Sequence, residues 1–268
     1  MRPEKVNFGK SAIASIESRY GQIEDEFTAK INQQKQLLIQ QTMNAPFLEM
    51  VGFDKIFNKQ SNFNTLRIVN LRDQNVNSAG APRKLGENCP NIEELDISKN
   101  LLVSWDEILM ICDQLPKLHW LNVSENLLSV PGSLGSVQYP NLRTLICGTM
   151  SLSWSEVCQI GKAFPDVEEF RAPLNKIENL DLIEGIFLKL KLLDLEGNKI
   201  QHWSEVCKLG FLPLLEQLII ENIGLLSIEF DGDEVPVSMF RTLKKICIVD
   251  NHLNEVRCVD FLIIFFCY

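Results

Sequence analysis

One apolar frame recurs along the chain, and a sequence written that way is confined to stacking copies of a single local unit. The frame is Leu-x-x-Leu-x-Leu-x-x-Asn-x-Leu, with other apolar residues standing in for leucine. It is cleanest at Ile92, Leu95, Ile97, Asn100, Leu102 and at Leu118, Leu121, Val123, Asn126, Leu128. It returns at Val167, Phe170, Ala172, Asn175, Ile177, at Leu190, Leu193, Leu195, Asn198, Ile200 and at Leu243, Ile246, Ile248, Asn251, Leu253. Three weaker copies start at Leu66, Leu142 and Leu215 and carry Gln74, Met150 and Ile223 in the asparagine place. The starts at 66, 92, 118, 142, 167, 190, 215 and 243 are separated by steps of 23 to 28 residues.

That frame and period are those of a leucine-rich repeat, whose unit is roughly 20 to 29 residues long. One copy would be weak evidence, since any amphipathic strand can produce it; eight in register point to an α/β leucine-rich-repeat solenoid. The expected shape is a horseshoe with a parallel sheet on the concave side and helices on the convex side. Strand residues alternate faces, so the fourth and sixth places of each repeat point into the core and the third, fifth and seventh point outward. The asparagine ends the strand, because its short amide bonds backbone groups that the turn leaves unpaired. Met150 and Ile223 cannot do this, so local irregularity or a substituting water is expected at their turns.

A second periodic motif follows the asparagine place. Trp105-Asp106-Glu107-Ile108, Trp154-Ser155-Glu156-Val157 and Trp203-Ser204-Glu205-Val206 each read as a helix start, with Asp106, Ser155 or Ser204 near the cap and a glutamate facing the helix dipole. A proline before the next repeat, at Pro90, Pro116, Pro140, Pro165 and Pro213, is expected to end each helix. Three tryptophans at one structural phase are expected to pack between adjacent helices.

The repeats set the domain boundaries. Residues 1–21 hold one short helix, with Ile13, Ile16 and Tyr20 on one face and Gly21 closing it. Residues 22–46, rich in Gln, Glu and Lys, read as a linker, and 47–65 as an apolar cap over the open first repeat. The repeat domain spans 66–258, and 259–268 is an apolar tail that abandons the frame. That tail is far shorter than the roughly 20 residues that cross a bilayer, so no membrane partner is expected.

Composition narrows the function classes. The formal charge is -9 and no run dense in Lys and Arg offsets it, which disfavours nucleic acid as a partner. The eight cysteines are scattered, Cys147, Cys207 and Cys247 lie in apolar runs, and no Cys-x-x-Cys pair occurs. This disfavours a disulfide framework and a zinc site, and with no apolar signal core in MRPEKVNFGK it points to a cytoplasmic protein. His119, His202 and His252 sit in different repeats, and no nucleophile elbow, phosphate loop or metalloprotease motif is present. The expectation is a protein that is not an enzyme and takes no cofactor, metal or small-molecule substrate.

What remains is the concave surface. The phase of the repeat places Glu94, Asp96, Ser98, Trp120, Asn122, Ser124, Glu169, Arg171, Asp194, Glu196, Gln217 and Glu221 outward. Carboxylates dominate, and like charges facing each other across strands about 4.8 Å apart are destabilising without a partner. A protein-binding role is therefore expected for Glu94, Asp96, Trp120, Asn122, Glu169, Arg171, Asp194, Glu196, Gln217 and Glu221.

These residues, together with RPEKVNFG at the start, VGFDKI before the repeats, and the stretches NCPNIEELDISKNLLVSWDEI and LNVSENLL, resemble the family of tubulin-specific chaperone E, also called tubulin-folding cofactor E. The resemblance runs to about Asn254, and RPEKVNFG is its most diagnostic part because generic repeats lack it. It implies a cytoplasmic, cytoskeleton-associated factor that binds α-tubulin and works with other tubulin-folding cofactors in assembling or dismantling the tubulin heterodimer. Family members usually carry a CAP-Gly domain before the RP-x-KVNFG segment and a ubiquitin-like domain after the repeats. Neither is seen in this sequence, and the expectation is a truncated form. The alternative is a regulatory or scaffolding leucine-rich-repeat protein with a different partner, a chaperone-E-like paralogue included.

Overall fold

The computed structural model describes residues 9–21, 63–130, 134, 138–181, 185–230, 239–253 and 255–256. Along the chain come β1 (Lys10–Ser11), α1 (Ala12–Tyr20), a 3-10 turn (Phe63–Thr65), β2 (Ile68–Asn70), β3 (Val76–Ser78), α2 (Lys84–Asn88) and β4 (Glu94–Asp96). There follow α3 (Trp105–Gln114), β5 (Trp120–Asn122), β6 (Thr144–Ile146), α4 (Trp154–Ala163), β7 (Glu169–Arg171) and β8 (Leu192–Asp194). The series ends with α5 (Trp203–Leu209), β9 (Gln217–Ile219), β10 (Ser227–Ile228), β11 (Lys245–Cys247) and β12 (Glu255–Val256).

Every repeat contributes one three-residue strand to a parallel eight-stranded sheet in the order β2-β4-β5-β6-β7-β8-β9-β11. The fourth places line up across it as Val69, Leu95, Leu121, Leu145, Phe170, Leu193, Leu218 and Ile246, each the register partner of the next. The sixth places form the second inner row, Leu71, Ile97, Val123, Cys147, Ala172, Leu195, Ile220 and Ile248, and all sixteen are at most 5% exposed. Short strands cannot bury a core alone, so the stack does it collectively.

The asparagines hold neighbouring repeats together rather than only closing their own turns. Nδ2 of Asn100, Asn126, Asn175, Asn198 and Asn251 donates to the sixth-place carbonyl of the repeat before, at Leu71, Ile97, Cys147, Ala172 and Ile220. The residue just ahead of the asparagine place has a positive φ in all eight repeats: Asp73, Lys99, Glu125, Thr149, Leu174, Gly197, Asn222 and Asp250. The irregularity expected at Met150 and Ile223 takes a definite form, shared by Gln74. In these three repeats a second left-handed residue follows, Asn75, Ser151 or Gly224. The extra turn presents two N–H groups to the next repeat's asparagine. Asn100 Oδ1 accepts from Gln74 and Val76, Asn175 Oδ1 from Met150 and Leu152, and Asn251 Oδ1 from Ile223 and Leu225. Asn126 and Asn198, which follow repeats with their own asparagine, each accept one, from Leu102 and Ile177.

On the convex side the three tryptophans open α3, α4 and α5 and are buried. They pack ring against ring, Trp105 on Phe164, Trp154 on Phe187 and Trp203 on Phe240, but none of these partner rings lies within a helix, so the packing is not the helix-to-helix contact expected. The caps fall one residue ahead of the tryptophan, not at Asp106, Ser155 or Ser204. Ser104 Oγ accepts from the Asp106 N–H, Ser153 and Glu156 form a reciprocal capping box, and His202 caps without a side-chain bond. The tryptophan is itself the first helical residue, so the hydroxyl that reaches back into the first turn must precede it. Two of the first-turn glutamates reach across to the preceding repeat: Glu107 accepts from Ala79 N–H and Glu205 from Leu180 N–H, both at 2.6 Å.

The expectation of a helix in every repeat needs correction. Among the described residues the third, fifth and seventh repeats return without one, so Pro140 follows no described helix, and the seventh carries β10 instead. At the other end, α1 forms as read, capped by Ser11 and closed by Gly21. It is docked on the first repeat: β1 pairs with β3, Ala12, Ile13 and Ile16 join the core, and Tyr20 Oη accepts from the Asn70 N–H at 2.9 Å. The linker 22–46, the proposed cover 47–65 apart from Phe63–Thr65, and the tail 259–268 lie outside the described residues.

Candidate protein-binding face

Strand register decides which outward side chains meet. The third places run Ile68, Glu94, Trp120, Thr144, Glu169, Leu192, Gln217, Lys245, and the fifth places run Asn70, Asp96, Asn122, Ile146, Arg171, Asp194, Ile219, Cys247. All the candidate strand residues therefore share one sheet face, but no two carboxylates are register neighbours. Glu94 stands between Ile68 and Trp120, and Glu169 between Thr144 and Leu192. Crowding of like charge is thus absent from the third and fifth places, and only the seventh places set two carboxylates, Glu196 and Glu221, in adjacent repeats, where Gly197 N–H donates to Glu221 O.

The middle of the face pairs its own charges, one guanidinium between two carboxylates. Arg171 Nε donates to Glu169 Oε1, and its Nη1 lies 3.6 Å from Asp194 Oδ2. Asp194 is not an outward surface group: it is only 5% exposed, covered by this pairing, and accepts from the Glu196 N–H at 3.0 Å. Burial pushes its carboxyl above the usual range, against the pull of that N–H and of Arg171. Ser98 is likewise buried, with its N–H and Oγ–H both donating to Asp96 Oδ1. Asn122 Oδ1 accepts from the Ser124 N–H, and Ser124 Oγ accepts from the Gly148 N–H, which fixes the seventh-place turn. Glu94, Glu196 and Glu221 make no ion pair among the described residues and stay partly exposed.

Two features escaped the sequence reading. Half-exposed apolar residues Ile146, Leu192 and Ile219, with the more exposed Ile68, lie among the carboxylates, so the face is mixed rather than acidic. The same repeat phase marks them. Along the rim, the second places alternate in sign almost throughout: Arg67, Glu93, His119, Arg143, Glu168, Lys191, Glu216, Lys244. Arg67 pairs with Glu93 at 3.4 Å, Arg143 and Lys191 with Glu168 at 3.7 and 2.6 Å, and Lys244 with Glu216 at 2.9 Å. These pairs are solvent-exposed and each contributes under about 1 kcal/mol, yet they cancel the charge of that rim.

Among the described residues no group of His, Cys, Asp and Glu could hold a metal ion, and no helix is long and apolar enough to cross a membrane. What the site offers is an open, side-chain-rich sheet face.

An open parallel sheet of eight register-aligned repeats, backed by helices and clamped by an asparagine ladder, defines a leucine-rich-repeat solenoid. The solved structure of human trophoblast glycoprotein, 5T4, matches at a TM-score of 0.53 over 74% of this chain and 75% of that one, at 20% identity, which speaks to the fold alone. In sequence the chain is homologous to tubulin-specific chaperone E. It is 37% identical to the bovine protein over 259 residues, 95% of this chain and 48% of that protein. The human protein is 36% identical over 258 residues, again covering 95% and 48%. Tubulin-folding cofactor E of Arabidopsis thaliana is 31% identical over 273 residues, covering 98% and 50%. The chain thus spans about half the length of the curated relatives it matches. No protein-family model matches it.

Proposed function

We propose that this chain is the repeat module of a tubulin-folding cofactor, which binds α-tubulin through its concave face and assists assembly or disassembly of the tubulin heterodimer by binding, not by catalysis. The observation that carries this reading is the homology to tubulin-specific chaperone E over 95% of the chain, a stretch that includes every repeat of the sheet. Cooperation with other tubulin-folding cofactors, in the cytoplasm and beside the cytoskeleton, belongs to the same proposal. Glu94, Asp96, Trp120, Asn122, Glu169, Arg171, Asp194, Glu196, Gln217 and Glu221 are proposed as the contact face. Within it, Arg171, Glu169 and Asp194 hold one another in place, and the outward groups make the contact.

The test is retention of purified tubulin heterodimer on the immobilised chain across a salt series. Wild type is expected to retain tubulin at low ionic strength and to lose it progressively as salt screens the carboxylates. Glu94→Lys, Glu196→Lys and Glu221→Lys combined should weaken retention at low salt, with an unchanged unfolding curve, since these residues bear no ion pair among the described residues. Equal retention by the triple variant would remove the concave face as the site, and no retention by folded wild type would remove tubulin as the partner of the repeats alone.

A further inference from the structure

We infer that the N-terminal part of the concave face holds a receptor for one arginine side chain of the protein partner, formed by Trp120, Glu94 and Ile68. This rests on the reading that the concave face is the binding face, and it names the chemistry that the face selects. Glu94 is the register neighbour of Trp120 on one side and of Ile68 on the other. Side chains so placed stand on one sheet face about 4.8 Å apart. One carboxylate is thus bracketed by an aromatic ring and an aliphatic chain.

Every other tryptophan has a packing role: Trp105, Trp154 and Trp203 are buried where α3, α4 and α5 begin. Trp120 alone stands on a strand, half-exposed on the concave side. Tryptophan and arginine are the residue types that most often dominate protein interfaces. The charge beside it is unspent. Glu94 has no ion pair among the described residues, while Asp96, next along the same face, accepts twice from Ser98 and adds negative potential. Arg72 does not fill the place, because its Nη1 donates to Ser98 Oγ and its Nη2 to Glu125 Oε1.

The mid-face shows what the chain does when it supplies the cation itself, for Arg171 sits between the carboxylates of Glu169 and Asp194. At the Glu94 rung the carboxylate is present, and no cation among the described residues pairs with it. A guanidinium fits better than an ammonium, because its flat, weakly hydrated plane can stack on indole while its edge donates to a carboxylate. Ile68, 66% exposed, offers apolar surface to the arginine stem.

The experiment labels the chain with 5-fluorotryptophan, whose four resonances report the four tryptophans, and assigns Trp120 by Trp120→Phe. The probe is the peptide acetyl-Leu-Arg-Leu-amide, compared with its citrulline and lysine counterparts. The arginine peptide at millimolar concentration is expected to move the Trp120 resonance alone, citrulline to leave it unmoved, lysine to bind several-fold more weakly, and Glu94→Gln to weaken the arginine peptide roughly 3- to 10-fold. Unmoved buried tryptophans certify the fold. A Trp120 resonance indifferent to the arginine peptide, or equal responses to arginine, lysine and citrulline, would overturn the assignment. Tubulin retention by wild type, Trp120→Ala and Glu94→Gln separates the two readings. Equal retention by all three defeats the arginine receptor while tubulin stands; an arginine-specific shift without tubulin retention by wild type leaves the receptor standing and defeats tubulin.

Discussion

Replacing Asn100 with Ala cuts the clamp between the first and second repeats. Its Nδ2 donates to Leu71 O at 2.9 Å and Ile97 O at 2.8 Å, and its Oδ1 accepts from Gln74 N at 3.1 Å and Val76 N at 2.9 Å. Alanine strands these backbone groups in a place that is only 8% exposed. A buried group left without its partner costs about 1 to 3 kcal/mol, and a water entering the vacated space would recover part of that, so the expected loss is about 3 to 5 kcal/mol. Asn122→Ala is the matched control: that side chain is half-exposed and its Oδ1 accepts from Ser124 N at 3.1 Å, so its loss should stay below about 1 kcal/mol. Urea unfolding measures both. Three of the five backbone groups that Asn100 bonds, at Leu71, Gln74 and Val76, belong to the first repeat, the others being Ile97 O and Ser98 O, and solenoid stability is a sum of neighbour interfaces. Hydrogen exchange in Asn100→Ala should therefore accelerate over residues 66–78 and not over 190–200. Equal losses in the two variants, or uniform exchange along the chain, would refute the idea that the asparagine acts between repeats.

Other expectations follow from the same architecture. Leu121→Ala and Leu195→Ala each empty a fully buried rung and should cost about 2 to 5 kcal/mol in urea, whereas Glu94→Gln should cost little; similar midpoint shifts would mean the repeat phase is wrong. Burial pushes Glu205 up, but Lys208 at 2.7 Å and the Leu180 N–H outweigh it and hold the carboxyl below its ordinary range. A lowered folded-state value means stability that is complete above about pH 4.3 and lost as pH falls, so Glu205→Gln should cost about 1 to 2 kcal/mol at pH 7 and progressively less in acid; a gap that widened on acidification would contradict this. Burial pushes the thiols of Cys112 and Cys158 up to about 12 and that of Cys89 up to about 11. With Cys147 also buried, alkylation at pH 8 read by peptide mass should reach these four only as fast as the protein unfolds, and labelling of folded protein within minutes would count against the core placement.

The fold was legible because its rule is one-dimensional. An apolar frame repeated eight times states which residue of each strand is buried, and neighbouring copies supply the partners without long-range guesswork. The alternation of charge along the second places, from Arg67 to Lys244, was equally open to a reader who followed every place of the repeat rather than the outward strand places alone. What could not be read was how side chains in adjacent repeats spend one another. Asp194 looks like a surface carboxylate until Arg171, one strand away, is seen to cover it, and Ser98 looks outward until its bonds to Asp96 draw it in. The second left-handed residue at Asn75, Ser151 and Gly224 belongs to the same class, since it answers the needs of an asparagine some 25 residues further on.

The concave face is the centre of this account, and hydroxyl-radical footprinting of the chain with and without tubulin heterodimer tests it most directly. Aromatic and aliphatic side chains report their own exposure by their rate of oxidation. On binding, Trp120, Ile146, Leu192 and Ile219 should be protected, while Met110 on α3 and Phe211 beyond α5, 40% and 50% exposed, should oxidise as before. Protection of Met110 and Phe211 with Trp120 left as reactive as in the free chain would place the partner elsewhere and contradict the proposal.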